Sequence, residues 1–496
     1  MKVCKIEIGK KRVWLFVLLL ANAITHGYGL WFKDFAWDEE QFYYAARLLG
    51  KFFYTLIHGE PVLDQNIVSI YGLTGKYLAF IGLLFYEPWA LFHEYSFHEA
   101  MVFVRFFSSF LPSMFALLLL FHLVEKHVGE NAGWLVLFLS MFAFRWVEQA
   151  HYAVPDSLTS LFIVWIYFYL MKERYLVKDL IWMSLVLALA FHSKINVGAC
   201  LMMFVGIVLL FRWFTGSLDF SLKRLIILGL FWFLWVFLLG LPYLFYYKEF
   251  LQELTFHLHG YPFIIKGSPW VYFYFKPPLG VDWGILILGC MGMFMLFRKF
   301  NVFVFLNFLW FVIFYAFLST SKGAIPRWEV PLIPSLLVLA VYGLSKLFIL
   351  VKRKWLVYGL GLMAIMRPAY HVFMLDMSLI AKPQVPFHEL YKKYDCKRVY
   401  YNFSLQYVSL KWFIKDSCNC AIFYEPYWND LQTNGIPSRF EIPSHNASFI
   451  GKPGDSIRSY VRHNWFKVYT YKPRFFTSWT FNPAAAKKVE MYVKPR

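Results

Sequence analysis

The sequence predicts an all-α, multi-pass membrane protein that ends in a small α/β domain, and three observations carry that expectation. Of 496 residues, 59% are hydrophobic and 22% aromatic but only 16% are charged, whereas soluble domains run at roughly half apolar and a quarter charged. Residues 13–31, 106–124, 225–247 and 302–318 carry no formal charge, and each approaches or exceeds the roughly 20 apolar residues that cross a bilayer. After about residue 383, short strand-like runs and Pro, Asn, Gly and Ser joints replace the apolar pattern.

Taken in order, Lys2, Lys5, Lys10, Lys11 and Arg12 precede the first span and predict a cytoplasmic N-terminus by the positive-inside rule. That first run is longer than a signal-peptide core and is read as a retained helix. About eleven spans follow from the apolar pattern. The connections 125–129, 172–179, 212–224, 298–301 and 352–354 are mostly short and basic, so they fall on the cytoplasmic side. The connections 32–99, 145–155, 192–194, 248–282 and 319–329 hold most of the His, Trp, Pro and acidic residues and fall outside. Runs 132–144, 180–191 and 355–366 are short for a hydrocarbon core of about 30 Å. Within the first outer connection, 42–57 and 77–86 read as amphipathic helices lying in the interface.

The chain thus divides into a membrane module, 1–382, and an extracytoplasmic domain, 383–496, with strand-like runs at 398–402, 421–424 and 466–471 and a helix-like stretch at 404–414. The net charge of +19 raises nucleic acid as a partner. The positive residues sit in short inter-span connections, where membrane lipids and topology account for them, so nucleic acid is excluded. Six cysteines form no CxxC pair and are too scattered for a disulfide scaffold, although Cys396, Cys418 and Cys420 lie close enough in sequence for one bridge.

Ionisable groups at span ends or in tight outer connections are costly and point to function. Five clusters qualify. Asp38, Glu39 and Glu40 follow the first span, where Asp38 with Gln41 would also make a capping box. Asp156 follows Pro155 at the head of a span, as a cap would. Lys194 stands between two spans in His192-Ser-Lys, where a snorkelling lysine is the plain alternative. Glu253 and His257, four apart, have the spacing of a metal or substrate site on a helix, or of an ordinary solvated face. Lys322 and Arg327 precede the Pro331 and Pro334 opening of a late span, as basic anchors also do. Carboxylates and cations on one membrane face suit a phosphate-bearing substrate and a reaction that needs a base.

The order of motifs resembles the GT-C class of lipid-phosphate-sugar-dependent membrane glycosyltransferases, nearest to protein O-mannosyltransferases and lipid A aminoarabinose transferases. WDEEQFYYAARLL is similar to the acidic pair and aromatic-Ala helix of the first outer loop. RFFSSFLPSMFALLLLFHLVEKHVG, led by Arg105, is similar to the second span. HYAVPDSLTSLFIVWIYFYL, LALAFHSKINVGA and RWEVPLIPSLLVLA match the later aspartate, the lysine segment and the Arg-aromatic-Pro-Pro head of a late span. The resemblance covers about residues 13–350. It implies inverting transfer of a sugar from a polyprenyl-phosphate donor, dolichyl- or undecaprenyl-type, to a protein, lipid or glycan acceptor. A carboxylate, Asp38 or else Glu39 or Asp156, accepts the acceptor's proton. Cations steady the departing phosphate, with Lys194 and Arg327 first and Lys322 in reserve. Some members of the class use a divalent metal at the acidic cluster and others do not. A transporter or flippase for a lipid-linked anion would share the spans and charges. It predicts an internal repeat with paired broken helices, and the two halves show none.

Overall fold

A chain in hydrocarbon has to satisfy its own backbone hydrogen bonds, and the α-helix does so within one segment. The computed structural model describes residues 2–31, 37–58, 72–92, 96–215, 222–248, 250–251, 283–319 and 326–380, with five strands between 398 and 493. These form two units: Met1–Leu30 with Gln41–Val372, and Trp31–Glu40 with Phe373–Arg496.

The first unit is helical, and the ends of two of its helices, residues 37–40 and 373–380, fall to the second. Helices α1 (Lys2–Gly27), α2 (Trp37–His58) and α3 (Leu73–Ala90) precede one long helix made of α4 (Phe97–Arg105), a π-helical turn (Phe106–Phe110) and α5 (Leu111–His127). Next come α6 (Glu130–Ser140), α7 (Phe144–Ala150), α8 (Asp156–Leu170), α9 (Val177–Ser193), α10 (Ile195–Phe214), α11 (Leu222–Leu239) and α12 (Leu241–Phe245). After α13 (Trp283–Arg298) and α14 (Val302–Ser319), a 3-10 turn (Pro326–Leu332) leads into α15 (Ile333–Leu350) and α16 (Lys354–Ile380).

Among the described residues, Glu99–His127, Ile195–Phe214, Val302–Ser319, Trp328–Leu350 and Lys354–Phe373 are long and apolar enough to cross a membrane. Asp156–Leu170 and Gly284–Arg298 are shorter apolar helices. The run expected as one weak span at 132–144 is two helices. α6 has 11 residues, about 16 Å of rise, and turns at Met141 and Phe142 into the separate, wholly buried α7. The expected short helices at 77–86 and 355–366 lengthen to 18 and 27 residues.

Helix α15 is buried without interruption from Ile333 to Leu344 and forms the axis of the bundle. Its closest crossing, with α13, depends on two glycines. A Cβ on Gly292 would lie 1.9 Å from the Leu339 carbonyl oxygen, and one on Gly343 would lie 2.7 Å from the Gly292 nitrogen. Small residues permit such approaches where lipid supplies no hydrophobic drive between helices. Polar ties cross the bundle as well. The Tyr167 hydroxyl meets Ser335 Oγ at 2.9 Å, and Ser140 Oγ donates to Asn22 Oδ1 at 2.8 Å.

Proline explains the π turn. Pro112 has no amide to give the Ser108 carbonyl, so the ladder is disturbed one turn upstream. There the Leu111 amide reaches back five residues to the Phe106 carbonyl.

In the second unit, β1 (Arg398–Tyr401), β2 (Ala421–Ile422), β3 (Ala447–Gly451), β4 (Phe466–Tyr471) and β5 (Val489–Val493) make one sheet in the order β2-β1-β3-β5-β4. The β1 pairings with β2 and β3 are parallel, and the β5 pairings with β3 and β4 are antiparallel. The helix-like stretch 404–414 and the cysteines Cys396, Cys418 and Cys420 lie outside the described residues.

Candidate functional site

The site is built around Lys194. This residue ends α9 and begins α10, and it is the single extended residue between them (φ −156°, ψ 105°). Its amide completes α9 by donating to the Ala190 carbonyl at 3.1 Å, and its carbonyl accepts the first bond of α10 from the Gly198 amide at 2.9 Å. Two glycines allow the chain to crowd here. A Cβ on Gly198 would fall 2.2 Å from Phe191 Cα, and one on Gly72, just before α3, would fall 1.8 Å from the His192 carbonyl oxygen. His192 itself donates from Nε2 to the Val236 carbonyl at 2.9 Å and stacks on Tyr243, which fixes this corner against α11 and α12.

From the corner, Lys194 Nζ donates to Asp156 Oδ1 at 2.6 Å. The Lys194 side chain is 13% exposed and that of Asp156 is 0% exposed, so the pair is buried and the lysine does not snorkel. Asp156 is not a cap either. Pro155 occupies the cap position, Asp156 is the first helical residue, and no side-chain capping bond forms. Both local explanations available from sequence therefore give way to a long-range ion pair. The other carboxylate oxygen, Asp156 Oδ2, is buried and takes no hydrogen bond among the described residues.

The approach to Asp156 is held from several sides. Ser109, in the π turn, donates from Oγ to the Val154 carbonyl at 3.1 Å and accepts from the Val154 amide at 3.3 Å. The two ring nitrogens of His151 lie 2.7 Å from the Val147 carbonyl oxygen and 2.9 Å from that of Tyr28, and the neutral ring, with one N–H, donates to one of them. Burial lowers the His151 pKa to about 4 against the pull of those two carbonyls. One turn before it, Arg145 Nη1 donates to Glu148 Oε2 at 2.6 Å in a second buried ion pair. Arg105, also fully buried, donates to the Leu30 carbonyl at 3.0 Å.

The 3-10 turn that contains Arg327 packs on α7 and α8. Ser160 Oγ donates to the Val330 carbonyl at 3.4 Å and Trp310 Nε1 to that of Pro331 at 3.0 Å. The backbone of Arg327 is thus three residues from a contact one turn into α8, while its side chain lies outside the described atoms. Lys322, Glu253 and His257 lie outside the described residues.

Asp38 and Glu39 stand in the first turn of α2, which is described from Trp37. The side chain of Asp38, and with it the capping-box expectation, lies outside the described atoms. Glu39 is fully buried. Both belong to the second unit, whereas Asp156 and Lys194 belong to the first. Among the described residues, no three His, Cys, Asp or Glu side chains cluster as metal ligands.

Sequence reasoning passed over Lys76, Arg145, Glu148 and Ser109. Lys76 is fully buried in α3, one turn after the Gly72 contact with the Lys194 corner. A lysine inside an apolar helix was itself a signal. So was the three-residue spacing of Arg145 and Glu148, which on one helix face pairs opposite charges. Ser109 gave none.

Helices long and apolar enough to cross a membrane describe an integral membrane protein, and its fold resembles that of solved membrane enzymes. Two solved structures of ArnT from Cupriavidus metallidurans are similar to it. The apo form matches with a TM-score of 0.57 and 12% identity over 99% of this chain and 100% of ArnT. The form bound to undecaprenyl phosphate matches with a TM-score of 0.53 and 13% identity over 98% and 99%. The archaeal oligosaccharyltransferase AglB from Archaeoglobus fulgidus, in complex with an inhibitory peptide and a dolichol-phosphate, is similar with a TM-score of 0.51 and 10% identity over 89% of this chain and 70% of AglB. No protein-family profile matches the sequence, and no curated protein does.

Proposed function

We propose that this protein is an inverting glycosyltransferase that moves a sugar from a polyprenyl-phosphate donor to an acceptor at the extracytoplasmic face. The observation that carries the reading is Lys194. It is a cation at the break between two helices, held by a buried carboxylate and still partly open, in a fold shared with proteins solved with undecaprenyl phosphate and dolichol-phosphate.

The acceptor oxygen or nitrogen attacks the anomeric carbon from the side opposite the phosphate. A bond forms there, the bond from that carbon to the phosphate oxygen breaks, and its electron pair stays on the phosphate. The acceptor's proton goes to a carboxylate, assigned to Asp38 with Glu39 as its rival. Lys194 and Arg327 balance the charge developing on the departing phosphate, and Asp156 keeps Lys194 aimed.

The test is incubation of purified protein in detergent with labelled undecaprenyl- and dolichyl-phosphate sugars. Consumption of one with release of the polyprenyl phosphate is expected. Lys194→Ala should cut it strongly, and Arg327→Lys should restore less than full activity because guanidinium and ammonium hold phosphate differently. If every donor survives incubation with an acceptor-rich membrane extract, the reading fails.

A further inference from the structure

Long membrane helices seldom depart from α geometry without cause, and single π turns within them gather at functional sites. Here the π turn changes the phase of the helix where Ser109 faces the 151–155 loop. The hydroxyl of Ser109 then serves both backbone groups of one residue, accepting from the Val154 amide at 3.3 Å and donating to its carbonyl at 3.1 Å. Both partners are fully buried. Pro155 follows and has no amide with which to anchor the loop, and Asp156 comes next, fixed on its helical side by Thr159 Oγ1 donating to its carbonyl at 2.6 Å. The Val154 amide also donates to the Tyr152 carbonyl at 2.7 Å, so what Ser109 alone supplies is the donor to the Val154 carbonyl, on the loop side of the segment whose helical side Thr159 holds. By contrast Ser108, its neighbour in the same turn, spends its hydroxyl on the Val104 carbonyl of its own helix at 2.7 Å.

We propose that Ser109 is a positioning residue: through Val154 it fixes the Asp156 carboxylate and so the Lys194 ammonium. The proposal rests on the reading of Lys194 as the phosphate cation, but the geometry it asserts is measurable without a donor. Removing the hydroxyl leaves a buried carbonyl unsatisfied, and the 151–155 loop relaxes, loosening the ion pair.

The experiment measures acetylation of individual lysines by acetic anhydride, read by mass spectrometry on the full-length protein in detergent. Lys172, paired with Asp179 at 2.7 Å at the opposite end of α8, is the internal reference. Ser109→Ala should raise the Lys194 rate about 5- to 10-fold, the expected size for an ion pair loosened by one lost hydrogen bond of ~1–1.5 kcal/mol, with Lys172 unchanged. Ser109→Thr should restore the wild-type rate, and Ser109→Cys, a milder change, should fall between. Ser108→Ala should do nothing. Equal rises at Lys194 and Lys172 would mean general loosening, and no rise, or an equal effect of Ser108→Ala, would mean that Ser109 holds nothing; each overturns the proposal. In the transfer assay Ser109→Ala should lower kcat about tenfold with KM nearly unchanged. If wild-type protein transfers nothing, the glycosyltransferase reading fails while the labelling result still decides this one.

Discussion

Replacing Lys194 with Met removes the cation from Asp156 and leaves everything else about the corner in place. The two charged atoms are 2.6 Å apart, which at an effective dielectric of about 20 corresponds to roughly 6 kcal/mol of gross attraction. Desolvation of both groups offsets most of this, so the pair itself stabilises little. A carboxylate stranded at 0% exposure is a different matter, and breaking such a pair from one side costs about 3–5 kcal/mol. Asp156→Asn should cost less, about 1–3 kcal/mol, because the amide keeps a hydrogen bond and the ammonium is partly open to water. With both changes together neither charge remains, so the double variant should sit about 2–3 kcal/mol above the sum of the singles. Equilibrium unfolding of the four proteins in mixed micelles, followed by tryptophan fluorescence, gives these values. Transfer should not recover in the double variant, which separates the structural part of the pair from the chemical part. Single losses below about 1 kcal/mol that simply add within about 0.5 kcal/mol would show that the pair is not buried as described, and the reasoning from it would be wrong.

Other outcomes follow from the same geometry. Asp38→Asn should abolish transfer, by about 10²–10⁴-fold, with little effect on folding, and Glu39→Gln run beside it decides between them, because the variant that keeps near-normal turnover is not the base. Gly72→Ala must push a methyl into the His192 carbonyl, so it should impair folding or transfer, unlike an alanine at Gly206, where the space is open; equal behaviour of the two in a melting and transfer comparison would count against the corner contact. His151 takes up a proton in the unfolded chain near pH 6.5 but in the folded one only near pH 4. Stability should therefore fall by up to about 3 kcal/mol as pH drops between those values, and a variant lacking this histidine should lose that part of the slope. Single cysteines placed in 172–177 should react with an impermeant maleimide only after permeabilisation, and those at 383–390 without it; the reverse pattern would invert the proposed orientation.

Much of the helical order was legible because hydrophobic runs of span length leave few other folds, and the charged connections 125–129, 172–179, 212–224 and 298–301 coincide with gaps between helices. The 141–143 break was not legible. Met141, Phe142 and Ala143 contain neither Gly nor Pro, and only packing of α7 among α1, α8 and the 3-10 turn shows why the helix stops. Asp156 and Lys194 were visible as costly residues, yet local rules assigned them a cap and a snorkel. Their pairing spans 38 positions, and the Ser109 clasp on Val154 spans 45. Periodicity reports which face of a helix is apolar, but which two helix ends meet is decided by crossings such as Gly198 against Phe191.

The lysine at the vertex of α9 and α10 has a consequence for how this scaffold tolerates change. A group carried on a loop can drift when the loop grows; a group that is itself the intersection of two rods cannot. One residue inserted in α9 or α10 turns everything beyond it by about 100° and lifts it by about 1.5 Å, enough to swing the ammonium off Asp156. Insertions elsewhere, between α2 and the Gly72 contact or before the sheet, leave that vertex where it is. Hybrid proteins assembled from related sequences should therefore keep residues 144–205 as a single block and place their junctions in the connections outside it.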